Sequence, residues 1–113
     1  MPGTDARRRA SAVAVVERVF RDLEPGCRVR FWDGSEVEVG RSRPAFTIVI
    51  RDRATFRAVF RSGRTRALAE AFIDDRLDVE GDLFAALRMA ATLEDRRLGP
   101  RDRLAILAAL ARI

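Results

Sequence analysis

Five carboxylates crowd one short stretch of this sequence, Asp74, Asp75, Asp78, Glu80 and Asp82, and such a run is the first place to look for a divalent cation. An EF-hand calcium loop takes oxygen ligands at alternate positions, with glycine at the sixth and glutamate at the twelfth. Counted from Asp74, those two places fall on Val79 and Ala85. The spacing does not make that loop; a wetted strand face followed by a helix cap accounts for the run, and no metal site is expected. Cys27 has Arg28 beside it, and a neighbouring guanidinium can lower a thiol pKa. The local alternation nevertheless puts Cys27 on an apolar face, which predicts an inert, packed thiol. The glycines never cluster into a phosphate-cradling loop. His and Tyr are absent and Cys27 is the single cysteine, so a Cys/His zinc site, a His-based triad and an intrachain disulfide are ruled out. No catalytic residues are expected.

Arginine is the remaining source of chemistry. All 22 basic residues are Arg, set against 17 acidic ones for a net charge of +5. A GC-rich genome explains the preference, and its consequence is a surface suited to phosphates and carboxylates, which guanidinium groups grip bidentately. Arg53, Arg57, Arg61 and Arg64 recur at helical spacing and could lie along phosphates. A nucleic-acid strand reader also needs exposed aromatics for stacking, whereas most of the seven Phe fall on faces expected to be buried. Nucleic acid is therefore not the expected partner. Trp32, at a hairpin tip, suits stacking, a membrane interface or folding back on the core.

The elements that must position these groups follow from periodicity. Residues 1–4 offer nothing to bury and read as an unstructured lead. Residues 5–23 repeat Ala12, Val13, Val16, Val19, Phe20 and Leu23 at helical spacing, until Glu24-Pro25-Gly26 ends the helix. Cys27, Val29 and Phe31 then alternate with arginines, and Val37 and Val39 with glutamates. A two-residue Asp33-Gly34 loop would mix the faces. A three-residue loop, Trp32-Asp33-Gly34 with Gly34 left-handed, pairs Val29 with Val37, Arg30 with Glu36 and Arg28 with Glu38, giving one apolar face and one charge ladder. Phe46-Thr47-Ile48-Val49-Ile50 is apolar enough for a central strand. Asp52 caps a helix carrying Phe56 and Phe60, and Thr65 opens another through Phe72. Residues 76–80 alternate as a fourth strand. Asp82 caps a helix whose buried stripe is expected to be Leu83, Phe84, Leu87, Ala90 and Ala91. After a charged connector, Pro100 starts a last helix ending in eight consecutive apolar residues, among them Leu104, Leu107 and Leu110. A helix so apolar needs covering by core, partner or bilayer surface. No run approaches the ~20 apolar residues of a membrane span, and no signal peptide is read at the start, so a cytoplasmic protein is expected. The fold class is α+β: a small, antiparallel-type sheet of about four strands or more, covered by helices.

From Val29 to about Leu93 the chain resembles the N-terminal domain of bacterial cyclopropane-fatty-acyl-phospholipid synthases. The stretches that carry the likeness are Val29-Arg30-Phe31-Trp32-Asp33-Gly34-Ser35, Phe46-Thr47-Ile48-Val49-Ile50-Arg51, and above all Ala71-Phe72-Ile73-Asp74-Asp75-Arg76-Leu77-Asp78-Val79-Glu80-Gly81-Asp82-Leu83. The same region is more distantly similar to the sterol carrier protein type two domain, an α+β lipid-binding fold. Asp75 stands where the first family usually has Gly, and Asp tolerates a left-handed turn better than most residues.

The resemblance implies a division of labour. In those synthases a larger C-terminal domain holds S-adenosylmethionine and modifies the acyl double bond; nothing of it is in this sequence, so no cofactor is expected on this chain. Residues 5–94 would form the lipid-binding domain, and residues 95–113 a connector and an apolar helix. The implied partners are a phospholipid or fatty-acyl chain, an anionic membrane surface at the inner face, and a catalytic methyltransferase domain or subunit. Phe46, Ile48, Phe56, Phe60, Phe72, Leu83, Phe84 and Leu87 become candidate acyl contacts, Arg57, Arg61 and Arg64 candidate headgroup ligands, and Trp32, Leu104, Leu107 and Leu110 candidate interface residues. Two other readings stand beside it: a free-standing sterol-carrier-like lipid carrier, and an interaction subunit that dimerises through its last helix and has no lipid role.

Overall fold

A computed structural model describes residues 2–24, 26–61, 65–95 and 99–113. These residues form five helices and a four-stranded sheet: α1 (Pro2–Phe20), β1 (Gly26–Arg30), β2 (Glu36–Val39), β3 (Pro44–Val49), α2 (Arg53–Phe60), α3 (Thr65–Ile73), β4 (Asp78–Gly81), α4 (Leu83–Asp95) and α5 (Pro100–Leu110). The fold is α+β. The first helix starts at Pro2, ahead of the Asp5 start read from periodicity, so its opening turn takes in residues 2–4.

The hairpin has the expected register. Cys27 faces Val39, Arg28 faces Glu38, Val29 faces Val37 and Arg30 faces Glu36. Its loop is the three-residue one: the Phe31 amide donates to the Ser35 carbonyl at 2.8 Å and the Gly34 amide to the Phe31 carbonyl at 2.9 Å. Gly34 has φ +86°, the left-handed geometry that such a loop requires at its last position.

The sheet is mixed, which corrects the antiparallel expectation. Its order is β2-β1-β3-β4, and β3 runs parallel to β1 while β4 is antiparallel to β3. A parallel neighbour needs a crossover, and here β2 itself is that crossover. From its end, residues 40–43 pass across the chain entering β1. The passage is tight. The Arg41 amide donates to the Leu23 carbonyl at 2.9 Å, and the Gly26 amide to Ser42 Oγ at 3.2 Å. A Cβ on Gly40 would lie 2.7 Å from Gly26 Cα and 2.7 Å from the Leu23 oxygen, and one on Gly26 would lie 2.4 Å from the Ser42 carbonyl oxygen. Backbone meets backbone at this point, and only glycine leaves the space.

Alternation along the strands then sorts the residues. Cys27, Val29, Phe31, Val39, Phe46, Ile48 and Ile50 are buried on the helix-covered face. They join Ala12, Val15, Val16, Val19 and Phe20 of α1, Phe56, Val59 and Phe60 of α2, and Ile106 and Leu110 of α5 in one core. On the outer face, Arg28, Arg30, Glu36, Glu38, Asp78 and Glu80 surround Thr47 and Val49.

The turn after α3 shows how a departure from glycine is accommodated. The Arg76 amide donates to the Ala71 carbonyl at 2.9 Å and the Asp75 amide to the Phe72 carbonyl at 3.3 Å, the bond pair of a Schellman cap. Asp75 sits at its left-handed position with φ 61°, alone among the described non-glycine residues. Left-handed backbone strains L-residues by ~1–2 kcal/mol, least for Asn and Asp. Asp75→Val is therefore expected to lower stability by about 1–2 kcal/mol, and Asp75→Gly to raise it by about 0.5 kcal/mol after the added unfolded-chain entropy is set against the relieved strain. Urea unfolding of the two variants measures both.

Candidate functional site

The residues nominated as an acyl-binding set do not come together. Phe46, Ile48, Phe56 and Phe60 are buried core residues. Phe56 packs against Phe60 with centroids 4.7 Å apart and ring planes tilted by 44°, and meets Phe31 edge-on at 6.1 Å. Phe72 is half-buried. The other three stand outside: Leu83, Phe84 and Leu87 are 51%, 75% and 46% exposed.

This reverses the expected face of α4. Ala85, Ala86 and Met89 point into the core, while Ala91, expected in the buried stripe, is exposed, and the side chain of Ala90 lies outside the described residues. Both faces of α4 are apolar, so periodicity alone ranks the larger side chains as core. Packing favours the small ones, because two alanines let the helix axis come close to β3 and β4, which it contacts. Asp82 does cap the helix as expected: the Ala85 amide donates to Asp82 Oδ1 at 3.1 Å. Ile73, at the end of α3, is also 75% exposed, and α3 packs against α4. Exposed Asp74, Asp75 and Asp82 adjoin these apolar residues along the chain.

A second apolar face lies on α5. Leu104, Leu107, Ala108 and Ala111 are exposed and recur at the three- and four-residue steps of one helical stripe. Leu110, nominated as an interface residue, is instead buried with Ile106, on the side that packs against α1. Asp102 also points toward α1, where its Oδ1 accepts from Arg18 Nη1 at 2.8 Å. Trp32 is not a free tip residue. It is half-buried and meets Phe31 at 5.7 Å and Phe56 at 5.8 Å, both edge-on, so its ring closes over the core.

The charged groups divide into paired and unpaired. On the outer sheet face Arg30 reaches Glu36 through Nε at 2.9 Å and Glu80 through both terminal nitrogens at 3.1 Å. Those hydrogen bonds, Glu80 first and Glu36 second, push its pKa above the ordinary guanidinium value. Arg28 pairs with Glu38 at 3.2 Å, and Arg51 Nε with Asp78 at 2.8 Å. This face neutralises itself. On α2, Asp52 caps the helix by accepting from the Thr55 amide at 2.7 Å, which holds its carboxyl below the usual range. Arg57 on the same helix and Arg61 at its C-cap are exposed and form no ion pair with other described residues. Arg64 lies outside the described residues.

Among the described residues no three metal-ligating side chains gather, and no helix is long and apolar enough to cross a membrane. An open groove between α1 and β2 is lined by Glu17, Arg18, Arg21 and Glu38 with Ala14, Val39 and Gly40; its charges are mixed. Cys27 is fully buried, and desolvation pushes its thiol from the ordinary 9.0 up to about 12. The folded thiol thus stays protonated where the unfolded one has ionised. The stability this supplies is complete below pH 9.0 and is lost progressively as pH rises toward about 12. Cys27→Ser is expected to flatten that alkaline decline, and a thiol reagent should label wild-type Cys27 only at the rate of unfolding.

The fold and these surfaces define a small α+β domain with a self-paired charged sheet face and apolar side chains turned outward on its helices. The chain belongs to the family described as Domain of unknown function (DUF7884), which matches residues 15–100. No curated protein and no solved structure matches it.

Proposed function

We propose that this chain is a non-catalytic phospholipid-engaging domain of a cyclopropane-fatty-acyl-phospholipid synthase-like methyltransferase system, acting at the inner membrane face beside a catalytic domain that carries S-adenosylmethionine. The observation that carries the reading is the placement of large apolar side chains outside a core that is already filled. Leu83, Phe84, Leu87, Leu104 and Leu107 are each at least 46% exposed, on helices whose opposite sides supply core residues. Burying a Leu or Phe side chain returns ~1.5–3 kcal/mol, so large apolar side chains left exposed together on a helix face mark an interaction surface. The exposed arginines on and just after α2 and α5, which form no ion pair with another described residue, supply groups for headgroup phosphates.

Engagement at the surface replaces the enclosed acyl pocket that the resemblance implied, because Phe46, Ile48, Phe56 and Phe60 are occupied in packing one another and their neighbours. For the same reason an extracting carrier, which must hold a whole chain inside, is the weaker alternative. An interaction subunit draws support from α4, whose exposed apolar side chains follow Asp74, Asp75 and Asp82; those carboxylates suit a protein partner, and we assign the face to the catalytic subunit.

Co-sedimentation with phospholipid vesicles tests the lipid reading. Binding to vesicles containing phosphatidylglycerol, weak binding to pure phosphatidylcholine, and loss at high salt are the expected results. Absence from both vesicle pellets at low salt overturns it.

A further inference from the structure

Two exposed apolar faces raise the question of which one meets the bilayer, and their bordering charges differ, cationic alone at α5 and mixed at α4. Resting on the reading above, we infer that α5 lies in the plane of an anionic phospholipid surface, with Leu104 and Leu107 inserted and Arg101, Arg103 and Arg112 against the headgroup phosphates.

At 100° per residue the exposed stripe of Leu104, Leu107 and Ala108, which the C-cap Ala111 extends, is bordered by Arg101 on one side and by Arg103 on the other, and Arg112 follows in the turn past the helix end. All three arginines are exposed, and none forms an ion pair with another described residue. The one acid of this helix, Asp102, is turned away and held by Arg18 on α1. The stripe therefore presents apolar side chains with cations at both borders and no anion, the arrangement of an interfacial helix on anionic lipid. Basic charge continues from its end: Arg53 Nη1 donates to the Ile113 carbonyl at 3.3 Å, and Arg57 and Arg61 follow Arg53 at four-residue steps along α2.

The α4 face fails the same comparison. Its surround is mixed: Asp74, Asp75 and Asp82 are exposed carboxylates beside the exposed cations Arg76 and Arg88, and phosphate headgroups would meet the carboxylates as like charges. Asp74 faces a cation, Arg76, at 3.7 Å, while Asp75 and Asp82 form no ion pair with another described residue. Apolar exposure is common to both helices, and a cationic border without carboxylates is what separates α5 from α4.

Vesicles of phosphatidylglycerol and phosphatidylcholine in equal parts test this with four proteins, each checked for wild-type helix content and thermal unfolding. Removing one arginine from an anionic surface weakens partitioning about fivefold, so the triple variant R101A/R103A/R112A is expected to bind roughly a hundredfold more weakly. Leu104→Glu with Leu107→Glu is expected to reduce binding by at least about a hundredfold, the order that losing two buried Leu side chains implies. Leu83→Glu with Phe84→Glu on α4 is expected to bind as wild type. Loss of binding in the α4 variant while both α5 variants bind normally overturns the assignment to α5 and leaves the lipid reading standing. Failure of the wild-type chain to bind removes both. A decrease in the α5 variants alone supports the inference.

Discussion

Gly40→Ala is expected to remove a large part of the domain's stability, about 3 kcal/mol or more, out of the ~5–15 kcal/mol that folded domains have. Two effects combine. The residue has φ +94°, where an L side chain is strained by ~1–2 kcal/mol. Its Cβ would also come 2.7 Å from both Gly26 Cα and the Leu23 oxygen, and no side-chain rotation relieves a clash with backbone. The link between β2 and β3 would have to lift off the entry to β1, taking with it the Arg41–Leu23 hydrogen bond and the register of the parallel pair. In urea the midpoint should fall by about 2 M. Gly34→Ala is the comparison that isolates the clash: its φ is +86° but nothing lies near its Cβ, so only the conformational strain of about 1 kcal/mol is expected. Equal losses at the two positions would show that the crossing is not tight.

Phe56→Ala is expected to lower stability by about 3–5 kcal/mol, the range for removing a fully buried aromatic side chain. Phe56 is 0% exposed and touches three rings, Phe31, Trp32 and Phe60, at centroid distances of 6.1, 5.8 and 4.7 Å. It joins the hairpin tip to α2, so its loss leaves a cavity and frees the indole. The single tryptophan reports this directly. Native emission should shift to longer wavelength in Phe56→Ala before any denaturant is added, whereas Phe60→Leu should keep the wild-type spectrum. A wild-type spectrum and stability in Phe56→Ala would place Trp32 away from that ring.

Much of this architecture was legible where residue type and spacing allow one solution. The alternation of arginines and glutamates in the hairpin admits a single register that keeps valines on one side, and the structure has it. Asp52 and Asp82 stand immediately before helical periodicity and cap as expected. The sheet's handedness of pairing was not legible, because a short link after β2 is compatible with a simple meander; the crossing depends on Gly26 and Gly40 tolerating contact, which no pattern displays. The face of α4 was hidden for a different reason. Leu83, Phe84 and Leu87 outrank Ala85, Ala86 and Met89 in size and hydrophobicity, and burial by hydrophobicity alone selects the wrong three. The wanted property was closeness to β3, which favours alanine. Trp32 had three readings open in the sequence, and only tertiary contact with Phe56 distinguishes the one adopted.

The two outermost strands have a consequence for how this molecule can meet others. Strands β2 and β4 bound the sheet, each is four residues long, and their outward side chains are Glu36 and Glu38 on one and Asp78 and Glu80 on the other. Short borders studded with carboxylates are poor templates for a strand from another chain, and a second copy brought edge to edge would set glutamate against glutamate or aspartate. Growth of the sheet into a ribbon or fibril is thereby disfavoured at both ends. Traffic with other molecules is left to the helical side, where apolar groups can be exposed without seeding β-aggregation.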